Sequence, residues 1–385
     1  MMNDFVRQFD GLKAIYRAKD DWECLPELVQ GISALTGSSE WDENTFKNGI
    51  LLYGAGWGGA RAFEYFNQQG IKVLAFLDDT PQKKGTRYCG LDVMPFETAR
   101  HGSCPIVLTL TAWPIPAAKL SGQNVQYEVF EHHVYRNNLK SLMTVAGELL
   151  SDDRSRSVYF RVLQARIFAD YSFISSAYEG NQYWAIPEFS FLYPDCKGVM
   201  VDAGAYVGDT VEEFIWRVRD VFDRIHAFEP HPRLLSALKN RANRLQKEWG
   251  LRDGSICCNQ AGLGDEESEL PFFDIGIGNM AGSFAPPTGQ RHEVDTIQTR
   301  KLDCYLAGAP VTFLKADVEG FEMPLLRGGS HSVRQHRPRI AMSLYHRMAD
   351  MFELPLFLKS LVPEYKMAVR HHSTCYEETV LYCWV

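Results

Sequence analysis

Hydrophobic positions along this chain change their spacing in a regular order, and each change marks an element. From residue 1 to about 47 they recur at helical intervals: Phe5, Phe9, Leu12, Ile15 and Tyr16, then Leu25, Leu28, Val29, Ile32 and Leu35. Gly37-Ser38-Ser39 ends that pattern. These helices are expected to pack on the next part of the chain, and any face left over could meet a second copy of the protein. Ile50–Tyr53 is a short apolar run that predicts a strand, followed by the turn Gly54-Ala55-Gly56-Trp57-Gly58-Gly59 and a helix over Ala60–Gln69. A second strand, Val73–Leu77, ends in Asp78-Asp79, and Ile106–Leu110 predicts a third. Residues 48–137 therefore read as a small Rossmann-like domain. Helical spacing returns at Leu139, Leu142, Leu149, Val158, Leu163 and Phe168, so 138–198 reads as a helical bridge.

A larger α/β unit is expected over 199–385. Its first strand, Val199–Val201, runs into Asp202-Ala203-Gly204-Ala205-Tyr206-Val207-Gly208-Asp209-Thr210, and a helix continues to about Phe222. The strand Ile225–Phe228 ends in Glu229-Pro230, the helix Leu234–Trp249 comes next, and Ile256–Asn259 predicts a third strand. Val311–Leu314 and Ile340–Leu344 complete a parallel set. Tyr365–Arg370 and Thr379–Trp384, joined by a short polar connection, predict an antiparallel hairpin. The fold class is α/β: a Rossmann-like sheet, parallel with a C-terminal antiparallel hairpin, behind a smaller Rossmann-like domain.

Composition narrows the function without choosing it. The chain has 385 residues, 45% apolar and 23% charged, a globular balance that excludes disorder and fibrous repeats. A net charge of −8 offers no basic surface to nucleic acid or anionic lipid. The apolar run Pro105–Ala118 is too short to span a membrane and is broken by Pro114 and Pro116. Met1-Met2-Asn3-Asp4-Phe5 lacks the regions of a secretory signal. Nine scattered cysteines without a CxxC pair read as reduced thiols, with Cys257-Cys258 a buried strand pair, and a cytoplasmic location is expected.

Two glycine turns carry the candidate chemistry. In the first, Gly54, Gly56 and Gly59 come after a strand and open a helix, with Asp78 about 20 residues beyond, an arrangement that can hold a nucleotide or nucleotide-sugar. The bulky Trp57 inside the turn favours a scaffold that holds no ligand. In the second, Asp202 precedes the glycines and Glu229 closes the next strand, where a carboxylate can accept from a ribose diol. Lys315, Asp317, Glu319 and Glu322 gather after the fourth strand and Tyr345-His346 after the fifth, at the sheet end where open α/β folds place their chemistry. Asp317, Glu319 and His346 are the candidate catalytic residues, within reach of an acceptor hydroxyl's proton. Glu322 could instead cap a helix starting near Phe321. Several of these acids together could hold a divalent cation, but no histidine or asparagine shows metal-ligand spacing, so no metal is expected.

From about residue 150 onward the chain resembles the FkbM family of S-adenosylmethionine (SAM)-dependent methyltransferases. The matching stretches are VDAGAYVGDT (201–210), HAFEP (226–230), NQAGLGD (259–265), LKADVEGFEMPLLRG (314–328) and ETVLY (378–382). The leading unit, with LLYGAGWGGARAFEYF, FLDD and GLDVMP (90–95), is similar to Rossmann-type domains of sugar-modifying and polysaccharide-biosynthesis proteins. The resemblance implies SAM as cofactor, bound by Asp202, Gly204, Ala205, Tyr206, Gly208, Asp209, Thr210, Glu229, Pro230, Ala261 and Gly262. It implies O-methylation of a sugar, polysaccharide-related or secondary-metabolite hydroxyl. The family often has asparagine where Tyr206 stands. Two rival readings stay open: a nicotinamide-dependent nucleotide-sugar oxidoreductase built on the first glycine turn, and a non-catalytic nucleotide-sugar-binding protein.

Overall fold

The computed structural model describes residues 4–38, 41, 44–99, 104–123, 125–189, 198–219, 221–274, 282–283 and 293–385. Met1, Met2, Asn3 and Ser39, named above for the sequence pattern, lie outside them. The chain forms two compact units: one chiefly of Met1–Ala146 and Arg156–Ala177, the other of Gly147–Ser155 and most of the chain from Tyr178 to Val385.

In the first unit, strands β1 (Ile50–Tyr53), β2 (Val73–Leu77), β3 (Arg87–Tyr88), β4 (Leu91–Met94), β5 (Ile106–Leu108) and β6 (Tyr127–Val129) form one sheet in the order β3-β4-β2-β1-β5-β6. β1 pairs in parallel with β2 and β5, as a βαβ chain with short runs of buried β-formers requires. The helix between β1 and β2 begins at Trp57, not Ala60, because Gly56 in extended backbone serves as its N-cap. The helix Leu25–Thr36 takes Pro26 in its first turn and stops at Gly37, where φ of 72° lets glycine close the last turn. The mid-chain helix Asp153–Phe168 belongs here from Arg156 onward. Its Val158, Phe160, Leu163, Ile167 and Phe168 are fully buried, and Phe168 packs on Phe9 and Tyr16.

The second unit holds β7 (Val199–Ala203), β8 (Arg224–Phe228) and β9 (Ile256–Asn259), then β10 (Gly262–Leu263), β11 (Ser268–Asp274), β12 (Gly282–Ser283) and β13 (Glu293–Arg300). It continues with β14 (Phe313–Ala316), β15 (Arg339–Ser343), β16 (Lys366–His371) and β17 (Thr379–Trp384). Seven of these make a sheet in the order β16-β17-β15-β14-β7-β8-β9, in which β9, β8, β7, β14 and β15 run parallel and the β16–β17 hairpin antiparallel. The strand order reverses at β7, between β8 and β14, so the connections after β7 and β14 diverge and leave a crevice there. A four-stranded sheet, β10-β13-β11-β12, forms from the segment after β9, where no strand was expected from sequence.

Amphipathic helices cover the large sheet. Asp209–Val218 buries Val211, Phe214, Ile215 and Val218, and Pro232–Glu248, capped by His231, buries Leu234, Leu235, Leu238, Ala242 and Leu245. Trp184, Phe189, Phe214 and Phe313 form an aromatic centre, with the Trp184 and Phe313 rings 5.1 Å apart. Cys257 and Cys258 are half-buried on the edge strand β9, not fully buried as expected, because no described strand pairs with that edge. The cysteines among the described residues are all free thiols.

Candidate active site

The backbone beyond β7 is shaped for a close approach. Gly204 has φ of +73° and Gly208 +84°, and Tyr206 at 49° is a non-glycine residue in the same left-handed region. The amides of Gly204 and Ala205 both donate to the carbonyl of Phe228, locking the turn against the end of β8. A Cβ on Gly204 would lie 1.8 Å from the carbonyl oxygen of Asp317, and one on Gly208 2.7 Å from the Leu238 side chain. The space that these glycines free is therefore taken by the protein itself, and the turn after β7 sits against the turn after β14. Asp209 and Thr210 open the next helix, with Thr210 buried.

Asp202 is fully buried at the end of β7, and neither of its oxygens has a hydrogen-bond partner among the described residues. Lys315 Nζ lies 3.2 Å from its Oδ1 as an ion pair without hydrogen-bond alignment, and donates instead to the carbonyl of Gly204 at 2.6 Å. Burial raises the Asp202 carboxyl to about 6, against the pull of Lys315. Glu229, on the neighbouring strand end, accepts one backbone amide on each oxygen, from Tyr206 at 2.9 Å and from His231 at 2.8 Å. Each oxygen keeps acceptor capacity. Burial again dominates and lifts Glu229 to about 7. Pro230 comes next, and Ala261 and Gly262 are buried beyond the end of β9, whose Asn259 carbonyl accepts from the Glu229 amide. The cofactor candidates from β7, β8 and β9 thus share one edge of the sheet.

Asp317 comes directly after β14 and faces β15. Its Oδ2 accepts from the hydroxyl of Tyr183 at 2.9 Å, and the Tyr345 hydroxyl is 3.4 Å from Oδ1. Burial would raise this carboxyl, yet His346, Lys315 and Tyr183 bring it below its ordinary value. His346 is buried, with Nδ1 2.8 Å from Glu322 Oε1 and Nε2 3.5 Å from both Asp317 Oδ1 and Glu319 Oε2. Burial pulls its pKa down, but Glu322, Glu319 and Asp317 together push it up to about 10. Glu319 sits at φ of 54°, a strained turn for a non-glycine residue. Glu322 opens the helix Glu322–Gly328 but does not cap it: no side chain caps that helix, and Glu322 instead accepts the amide of Val318 in the preceding turn and pairs with His346.

Three residues here were missed or misplaced from sequence alone. Tyr183 lies outside every recognised stretch, so no signal marked it. Glu378 opens ETVLY: it sits at φ of 65°, accepts from Gln182, and burial with the nearby Asp317 charge lifts its carboxyl to about 7. Lys315 was grouped with the acids, but its pairing with Asp202 needs the register of β7 on β14, which sets the two residues side by side.

The first glycine turn is built differently. A Cβ on Gly59 would lie 2.0 Å from the carbonyl oxygen of Gly54, and one on Gly58 2.1 Å from that of Thr109, whereas at Gly56 it would meet open space. Asp78 accepts from the amides of Ala55 and Thr80 and from Lys83 Nζ, 2.9 Å away. Its carboxylate is held by its own loop.

Residues 202–366 match the family model of the methyltransferase FkbM domain. Among solved structures, the chain is similar to methyltransferase FkbM from Methylobacillus flagellatus KT, with a TM-score of 0.56 at 21% identity over 94% of this chain and 100% of that one. A putative rRNA-methylase from Clostridium thermocellum matches with a TM-score of 0.34 at 9% identity, over 51% of this chain and 90% of that one. A SAM-dependent methyltransferase from Aquifex aeolicus matches with a TM-score of 0.28 at 11% identity, over 56% of this chain and 99% of that one. No curated protein matches the chain.

Proposed function

We propose that this chain, a methyltransferase by its FkbM domain at residues 202–366, takes its methyl group from SAM and delivers it to a hydroxyl of a sugar, polysaccharide-related or secondary-metabolite acceptor. One observation carries the cofactor: two buried carboxylates at adjacent strand ends with acceptor capacity to spare. Asp202, whose oxygens accept no hydrogen bond among the described residues beside the Lys315 ion pair, suits the methionine ammonium, and Glu229 suits the ribose diol. The turn Gly204–Thr210 runs between them, and Ala261 and Gly262 lie on the adenine side. SAM supplies an electrophilic methyl on its sulfonium. What the protein adds is position, since holding the two reactants aligned supplies much of the barrier reduction.

On the acceptor side, Asp317 remains a carboxylate at neutral pH and can accept the hydrogen bond of the incoming hydroxyl. Tyr183 and Tyr345 orient it. Glu378, near 7, has the proton affinity of an effective base at neutral pH. Carboxylates and tyrosine hydroxyls in one crevice are groups that hold a polyol, which supports a sugar-like acceptor. In the first unit, the loop's own claim on Asp78 supports a scaffold over a nucleotide-sugar or nicotinamide site.

Calorimetry with SAM tests the reading. Wild-type chain should bind one molecule, and Glu229→Ala should weaken that binding roughly 10- to 100-fold, the loss of charged hydrogen bonds worth about 1.5–3 kcal/mol. Unchanged affinity in Glu229→Ala would reject the cofactor site as drawn. Labelled SAM offered with cell-envelope glycans and nucleotide-sugars would then identify the acceptor.

A further inference from the structure

Asp317, Glu322 and His346 each bring a ligand-type atom within 4.8 Å of the others, although they come from the end of β14, the helix after it and the end of β15. Acids alone would not make a site, but two atoms here are anomalous. His346 Nε2 and Glu322 Oε2 are buried without a hydrogen-bond partner among the described residues. The imidazole is 3% exposed and its orientation is fixed from behind, because Nδ1 meets Glu322 Oε1 at 2.8 Å. That leaves Nε2 aimed between two carboxylates, 3.5 Å from Asp317 Oδ1 and 3.5 Å from Glu319 Oε2. Those distances are long for hydrogen bonds. Each lies within the spacing of two ligand atoms that share one ion, since bonds of about 2.1–2.2 Å at angles from octahedral to tetrahedral set them roughly 3.0–3.6 Å apart. A carboxylate behind the far nitrogen of a histidine is the usual support of a metal-bound imidazole. Charge points the same way: three carboxylates converge on one imidazole, and the nearby Lys315 is engaged by Asp202.

We propose that His346 Nε2 and Asp317 hold a divalent cation at the acceptor side of the crevice, with Glu319 as a third ligand and Glu322 orienting the imidazole. Such an ion, six-coordinate as manganese and magnesium are, keeps coordination positions for the acceptor. It would select acceptors presenting two neighbouring oxygens, such as a vicinal diol, and stabilise the negative charge that develops on the reacting one. This purpose rests on the proposed methyl transfer, whereas the binding of the ion does not.

Manganese(II), followed by electron paramagnetic resonance of the full chain, should report one bound ion. Glu322→Gln should weaken it about 10- to 100-fold, as expected when a supporting carboxylate is lost, and His346→Ala should abolish it. SAM affinity of His346→Ala, measured by calorimetry, should stay at the wild-type value because Asp202 and Glu229 are untouched. If either variant fails to reach a native melting transition, Glu319→Gln, in a half-buried turn, replaces it and should weaken manganese measurably. No manganese bound at millimolar concentration, or equal binding by wild type and variants, overturns the proposal and leaves His346 a proton-carrying counter-ion only. If manganese binds as described but SAM does not, the cation site stands and the methyl-transfer reading of this crevice falls.

Discussion

Asp202 and Glu229 hold their protons to about 6 and about 7 because both are buried at the crevice floor. Folding therefore takes up protons at these positions. The stability they contribute is complete below the ordinary carboxyl range, near pH 4, and is lost as the pH rises through 6 and 7. A ligand bringing an ammonium and a diol needs the opposite, ionised state. Its binding is expected to strengthen as the pH rises from about 5 to about 8. The increase in melting temperature given by saturating SAM should accordingly grow across that range, and in Glu229→Gln it should grow less. A shift independent of pH would mean that these carboxyls do not meet the ligand.

The turn after β7 and the turn after β14 interlock through backbone, with Gly204 against the carbonyl of Asp317. Gly204→Ala would force both a left-handed alanine and a collision at 1.8 Å. Urea denaturation should show a loss of roughly 2–5 kcal/mol, from the strained φ and the overpacking together. A variant as stable as wild type would show that the two turns can separate. The strands bearing these turns were legible in sequence because each is a short apolar run ending in a chemical residue: β7 in Asp202, β8 before Glu229, β14 before Asp317. The hairpin strand Thr379–Trp384 was legible to its limits. The strands β11 and β13 were not, since SELPFFD and EVDTIQTR alternate too weakly to stand apart from a polar loop, and their pairing is set by register across a long connection. In the site, single carboxylates could be read from position alone, but the ring of Tyr183, Glu322 and Glu378 around Asp317 and His346 comes from separate stretches of chain brought together by packing.

At the scale of the whole molecule, the chain does not finish one unit before starting the next. It passes from the first to the second after Ala146, returns at Arg156 and leaves again after Ala177. The excursion Gly147–Ser155 lies along the edge strand β16, where the Ser151 amide donates to the Met367 carbonyl and the Ser155 hydroxyl accepts from the Val369 amide. The helix continuing from it belongs to the first unit: Gln164 donates to the carbonyl of Tyr16 at 2.8 Å, and Phe168 rests on Phe9. A chain beginning at residue 138 would expose that helix, at about 1.5–3 kcal/mol for each large side chain uncovered. It should melt well below the full chain while keeping SAM affinity wherever it remains folded, because the cofactor candidates all lie beyond Val199. An unchanged melting temperature would show that the helix needs no N-terminal partner. The weave also governs how such a protein can be made and inherited. During synthesis the N-terminal unit cannot close until residues near 177 have left the ribosome, so its exposed apolar groove waits while the first piece of the second unit emerges. A single recombination point between relatives would always leave one unit drawn from two parents, so no single crossover exchanges one unit alone.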